Sequence, residues 1–145
     1  MFYILSDTEV AFNEILVACQ ESIDYFESAI ARVEDENKTA LLQSIVNQRK
    51  QFSKSFTDII RRNGDLPAMP DPDKETGEMI IEQVAASLSD NDINYVISHR
   101  IENEMHLQAL TEKATEMEMN ESDRTLLQKF LNHIQNTVAE LSSLI

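Results

Sequence analysis

Two of the three histidines, His99 and His106, stand seven residues apart with Glu102 and Glu104 between them. Imidazole nitrogens and carboxylate oxygens are the ligand types that hold zinc, iron or manganese. On a helix, His99, Glu102 and His106 fall within about 60 degrees of one another and so share one edge. Two or three ligands from one helix leave a coordination shell open. Glu21 and Asp24, in a separate segment, are the candidates to close it. The plainer reading is surface pairing of histidines with neighbouring carboxylates in an acid-rich chain. That reading is favoured here: no metal or other cofactor is expected, with iron, manganese or zinc as the alternative. His133, between Phe130 and Ile134 with no acidic motif beside it, reads as a structural histidine.

The elements that must position these groups are helices. Glycine occurs only at 64 and 77, and all three prolines, Pro67, Pro70 and Pro72, crowd one short connection. Ser6 followed by Glu9 forms a capping box, after which Phe12, Leu16, Cys19, Ile23, Phe26, Ile30 and Val33 recur at steps of three and four. This predicts a first helix over about 7–34. After the polar break Asp35-Glu36-Asn37, a second helix carries Leu42, Ile45, Phe52, Phe56 and Ile59 and ends at Gly64, a left-handed C-cap. The proline-bearing stretch 65–76 reads as a crossover. A short helix follows through Met79, Ile80, Val84 and Leu88, breaking near 89–92. A third long helix carries Ile93, Val96, Leu107, Leu110, Ala114 and Met117. Asn120-Glu121-Ser122-Asp123 caps a fourth, with Leu127, Phe130, Ile134, Val138, Leu141 and Ile145 inside. The expected fold is all-α, a ferritin-like four-helix bundle with a long crossover containing a short extra helix, in one domain spanning 1–145.

Two of the apolar series are interrupted by charge. Leu42, Ile45, Arg49, Phe52, Phe56 and Ile59 place Arg49 on an inward face. Ile93, Val96, Arg100, Asn103, Leu107 and Leu110 do the same for Arg100 and Asn103. An inward arginine needs a carboxylate or several carbonyl acceptors, because an unpaired buried charge costs several kcal/mol or more, on the order of the desolvation penalty. Glu21, Asp24, Glu102 and Glu104 are the candidate partners of Arg49. Two readings are open: the arginines extend along their aliphatic stems to the bundle edge, or they form an internal ion-pair layer.

Composition narrows the function classes. With 26 Asp and Glu against 12 Lys and Arg, the formal charge is -14, which opposes nonspecific attraction to nucleic acid and to anionic lipid. Neither partner is expected. No apolar run approaches the roughly 18 residues that span a bilayer, and Met1–Leu5 lacks a basic leader. The lone Cys19 lies on an apolar face, so a buried thiol in a reducing, cytoplasmic setting is expected. There is no glycine-rich phosphate loop, paired-cysteine motif or serine nucleophile elbow. A homodimer or another protein partner is expected, with Met1–Leu5 and the helix over 79–88 as segments that could cover an apolar strip.

The segments Cys19-Gln20-Glu21-Ser22-Ile23-Asp24-Tyr25-Phe26, Asn47-Gln48-Arg49-Lys50-Gln51-Phe52 and Ile59-Ile60-Arg61-Arg62-Asn63-Gly64 resemble an uncharacterised ferritin-like bundle family that includes many bacterial proteins of unknown function. The resemblance extends over nearly the whole chain. The wider rubrerythrin and ferritin superfamily holds two metals between four helices with single glutamates and Glu-x-x-His pairs. Matched to that pattern, Asn103-Glu104-Met105-His106 has asparagine in the glutamate position and keeps His106. Arg49-Lys50-Gln51-Phe52 stands in the other paired position, and the first helix presents Ile23 flanked by Glu21 and Asp24. Each departure removes a ligand. The resemblance therefore implies a noncatalytic helical protein engaged in interaction, assembly or stress-associated regulation. The alternative is a metal-binding or redox enzyme with a degenerate di-metal carboxylate site acting on dioxygen or peroxide.

Overall fold

The computed structural model describes residues 6–64 and 90–145, which form α1 (Asp7–Ile30), α2 (Glu36–Arg62), α3 (Asp90–Thr115) and α4 (Glu121–Ser142). The connection over 65–89, including the helix expected at 79–88, and the segment Met1–Leu5 lie outside the described residues.

Polar residues set the helix ends. Ser6 Oγ accepts the amide of Glu9 at 3.2 Å. Asp35 Oδ1 accepts the amides of Asn37 and Lys38 at 2.9 and 3.2 Å, and Asn120 accepts that of Asp123 at 2.8 Å. Each satisfies donors that the first helical turn leaves without a partner. Because Asp35 begins α2, the chain must reverse before it, and α1 stops at Ile30 rather than near residue 34. Val33 nevertheless stays buried, its amide bonded to Ala29 O. Gly64 has φ of 83°, the left-handed conformation expected of a helix-terminating glycine. At the end of α3, the Arg124 guanidinium donates to the carbonyls of Thr115 and Met117, closing that terminus from α4.

Contacts between helix ends fix the topology. Tyr25 Oη, late in α1, donates to Val96 O, early in α3, at 2.8 Å. Thr8, at the start of α1, donates to Glu118 O just beyond the end of α3. Arg62 ends α2 and pairs at 2.7 Å with Asp123 at the start of α4. So α1 is antiparallel to α3 as well as to its hairpin partner α2, and α2 is antiparallel to α4. The hairpins α1–α2 and α3–α4 pack most extensively, with α1 against α3 and α2 against α4 completing a four-helix bundle. The ends joined by the 65–89 connection therefore lie at opposite ends of the bundle, about 39 Å apart for a helix of this length. The chain is a four-helix bundle with one long crossover. Among the described residues, no helix is long and apolar enough to cross a membrane.

The core runs the length of the bundle. Phe56 and Phe130 meet edge to face at 5.0 Å, with Phe52 at 5.0 Å from Phe130 and Phe12 at 6.1 Å from Phe56. All four helices contribute buried aliphatic or aromatic side chains, interrupted at mid-length by one polar layer.

Candidate functional site

Arg49 occupies the centre of this bundle. Its position in the Leu42, Ile45, Arg49, Phe56 series turns it inward, and its side chain has no solvent exposure. Nη1 and Nη2 donate to the two carboxylate oxygens of Glu104 at 2.8 and 3.0 Å, a bidentate fork. Nη1 also donates to Ser22 Oγ at 3.1 Å, Nη2 to Thr137 Oγ1 at 3.5 Å and Nε to His133 Nε2 at 3.0 Å. All five guanidinium N–H groups are thereby used, on acceptors from α1, α3 and α4.

Glu104 receives a second cation from its own helix. Arg100 Nε lies 3.0 Å from Glu104 Oε1. The Nε–H is not directed at that oxygen, so the contact is an ion pair without a hydrogen bond. Among the described residues, two guanidinium charges thus face one carboxylate in this layer, one positive charge in excess. Aromatic faces meet that excess. Phe26 lies near both guanidinium groups, 5.8 Å from Arg49 Cζ and 5.6 Å from Arg100 Cζ, with Phe130 5.6 Å from Arg49 and Tyr25 5.4 Å from Arg100.

The surroundings set the protonation states. Burial by itself would raise the Glu104 pKa, but Arg49 and Arg100 outweigh it and hold the carboxyl below the ordinary range. Burial, with Arg49 adding to it, pushes His133 down to about 4. The ring is therefore neutral at pH 7. Because Nε2 accepts from Arg49, Nδ1 carries the proton and donates to Gln48 Oε1 at 3.2 Å. Cys19 sits against the same layer, its thiol donating to Arg49 O at 3.5 Å, and burial pushes it up to about 12. A thiol so poised is neither a nucleophile nor a ready metal ligand.

The residues expected to hold a metal are distributed differently. His99 is half-buried and stacks on Tyr25 with ring centroids 5.9 Å apart; Nδ1 lies 3.3 Å from Asn103 Nδ2 and 3.4 Å from Tyr25 Oη. Tyr25 Oη donates to Val96 O, so the amide of Asn103 is the donor to His99. Glu102 and His106 are exposed, as is Asp24, while Glu21 is half-buried. Among the described residues, no group of three or more His, Cys, Asp or Glu side chains is arranged to hold a metal ion.

One expectation is corrected, and one open alternative is decided. Asn103 is not the inward residue of α3: Glu104 is, in a buried series Val96, Arg100, Glu104, Leu107, Thr111 and Ala114. Arg49 and Arg100 do not reach the bundle edge, and of the four acidic candidates it is Glu104 that pairs with Arg49. His133, Ser22 and Thr137 were not marked in the sequence as site residues. His133 follows Phe130 by three, a spacing that signals burial, but its partner lies 84 positions away on α2.

Neither a family model nor a curated protein matches the sequence. Among solved structures, the chain is similar to a conserved hypothetical protein from Mycobacterium tuberculosis, with a TM-score of 0.76 over 98% of this chain and 100% of that one. The two are 8% identical, so the likeness concerns the fold alone.

Proposed function

We propose that this chain is a noncatalytic helical protein of ferritin-like descent whose role is interaction, assembly or stress-associated regulation. One observation carries the reading: the space between the four helices is filled by a guanidinium whose every donor is used by the protein itself. A di-metal bundle keeps inward carboxylates available to metal. Here the inward carboxylate, Glu104, is held by two arginines. The ferritin-like assignment is supported by the path of the chain, two hairpins joined by one connection between opposite ends of the bundle. A second copy or another protein is the partner proposed, and Tyr95 and Met105, both exposed on α3, are apolar groups that such a contact would cover.

Anaerobic titration with iron(II), manganese(II) or zinc(II), followed by metal analysis of the recovered protein, tests this reading. The expected result is no stoichiometric retention. Retention of one equivalent that disappears in His99→Ala and His106→Ala would overturn it in favour of an edge site built with Glu102 and either Glu21 or Asp24.

A further inference from the structure

His133 holds its place through one lone pair. Nε2 accepts from Arg49 Nε at 3.0 Å, Nδ1 donates to Gln48 Oε1 at 3.2 Å, and the ring packs against Phe52 and Phe130 at 5.2 and 6.1 Å. Both ring nitrogens are therefore engaged, one as acceptor and one as donor. A second proton can bind only at Nε2, where it would point at an N–H that already occupies the line.

Among the described residues, the one anion that favours a charged ring is Glu104, and it is already engaged by two cations. From α2 comes Arg49, a cation, and the neutral Gln48; from α3 come Glu104, already shared by two guanidinium groups, and Arg100. From α1, Cys19 is protonated and Ser22 is already bonded to Arg49; on α4 itself, Thr137 donates to His133 O. Protonation would add a third cation to a layer that holds one carboxylate among the described residues, and remove the Arg49 Nε–His133 Nε2 bond, one of the hydrogen bonds between α2 and α4.

We propose that His133 is an acid-sensitive latch: a second proton on its ring displaces Arg49 Nε and loosens α2 from α4 at mid-bundle. The sign follows from the folded-state environment. His133 titrates lower in the folded chain than its ordinary 6.5, down to about 4, so its contribution to stability is complete above about 6.5 and is lost as pH falls through about 4. Glu104 is also held below its ordinary value, so it remains ionised while this loss begins.

His133→Gln provides the test, since a glutamine carbonyl can accept from Arg49 and does not titrate. Between about pH 7 and about pH 4.5, the wild type is expected to lose about 5 °C more in melting temperature than the variant. Equal losses would overturn the proposal. Nitrogen-resolved NMR of the wild-type chain decides the matter even if the variant does not fold. Protonation of His133 Nε2 should coincide with loss of exchange protection at Arg49 Nε–H while helical circular dichroism persists. Protonation that leaves Arg49 Nε–H protected, or global unfolding that precedes it, would overturn the latch.

Discussion

Glu104 accepts both terminal nitrogens of Arg49, at 2.8 and 3.0 Å, with neither side chain exposed to solvent. The two residues belong to different hairpins and are 55 positions apart. The arrangement gives the centre of the bundle fixed partners, where an apolar layer would give only fixed volume. Its energetic character is asymmetric: the intact layer repays much of its desolvation, whereas a partly dismantled layer does not.

Glu104→Leu should therefore be severe. It leaves Arg49 and Arg100 buried without their carboxylate, and a loss of about 3–5 kcal/mol is expected in urea unfolding. Replacing all three charges, as Arg49→Met, Arg100→Met and Glu104→Leu together, should recover at least about 2 kcal/mol of that loss by removing the stranded cations. The recovery will be incomplete, because His133, Ser22 and Thr137 then lack the donor they now accept from. A triple variant no more stable than the single one would contradict this description of the layer.

Cys19 offers a probe of the same region. Its side chain is fully buried and its thiol is pushed up to about 12, so thiolate formation in the folded chain is suppressed twice over. Labelling by a disulfide reagent at about pH 8 should be slow without denaturant and should rise with urea in step with global unfolding. Rapid stoichiometric labelling of the folded protein would show that the layer opens on its own.

Gly64 isolates a purely backbone effect. Its φ is 83°, yet a Cβ built there meets nothing within 4 Å among the described residues. Gly64→Ala should then cost about 1–2 kcal/mol from the left-handed conformation alone, with Gly64→Asn costing less. Melting curves that rank alanine equal to glycine would mean that the α2 terminus changes conformation freely.

Much of this architecture was legible in the sequence because long helices announce themselves by spacing. The caps at Ser6, Asp35 and Asn120 and the terminating Gly64 all lie within local reach of the groups they satisfy. Arg49 could be read as inward because apolar residues stand on both sides of it in phase. On α3 the same logic failed by one residue. After Arg100, a step of three gives Asn103 and a step of four gives Glu104; both are polar, and both rejoin the series at Leu107. Only packing against α2 distinguishes them, and that depends on a contact across the bundle. His99 illustrates the other limit: its spacing to His106 suggested a shared edge, whereas its local environment is set by Tyr25 on α1, 74 positions away. Helical phase names the residues of a face but not their partners.

The parallel course of α2 and α3 gives the Arg49–Glu104 fork a role as an axial key. Each hairpin is held together by neighbours in sequence, but the two hairpins are joined by a connection long enough to permit many relative offsets. Sliding one past the other by a single helical turn, about 5.4 Å, would bring aliphatic side chains against other aliphatic side chains at little cost in chemistry. The fork has no such alternative mate, since one turn along α3 from Glu104 stand Arg100 on one side and Gln108 on the other. A mis-set bundle would confront Arg49 with a like charge or a neutral amide, so this one pair of side chains sets the longitudinal alignment that greasy contacts leave loosely specified.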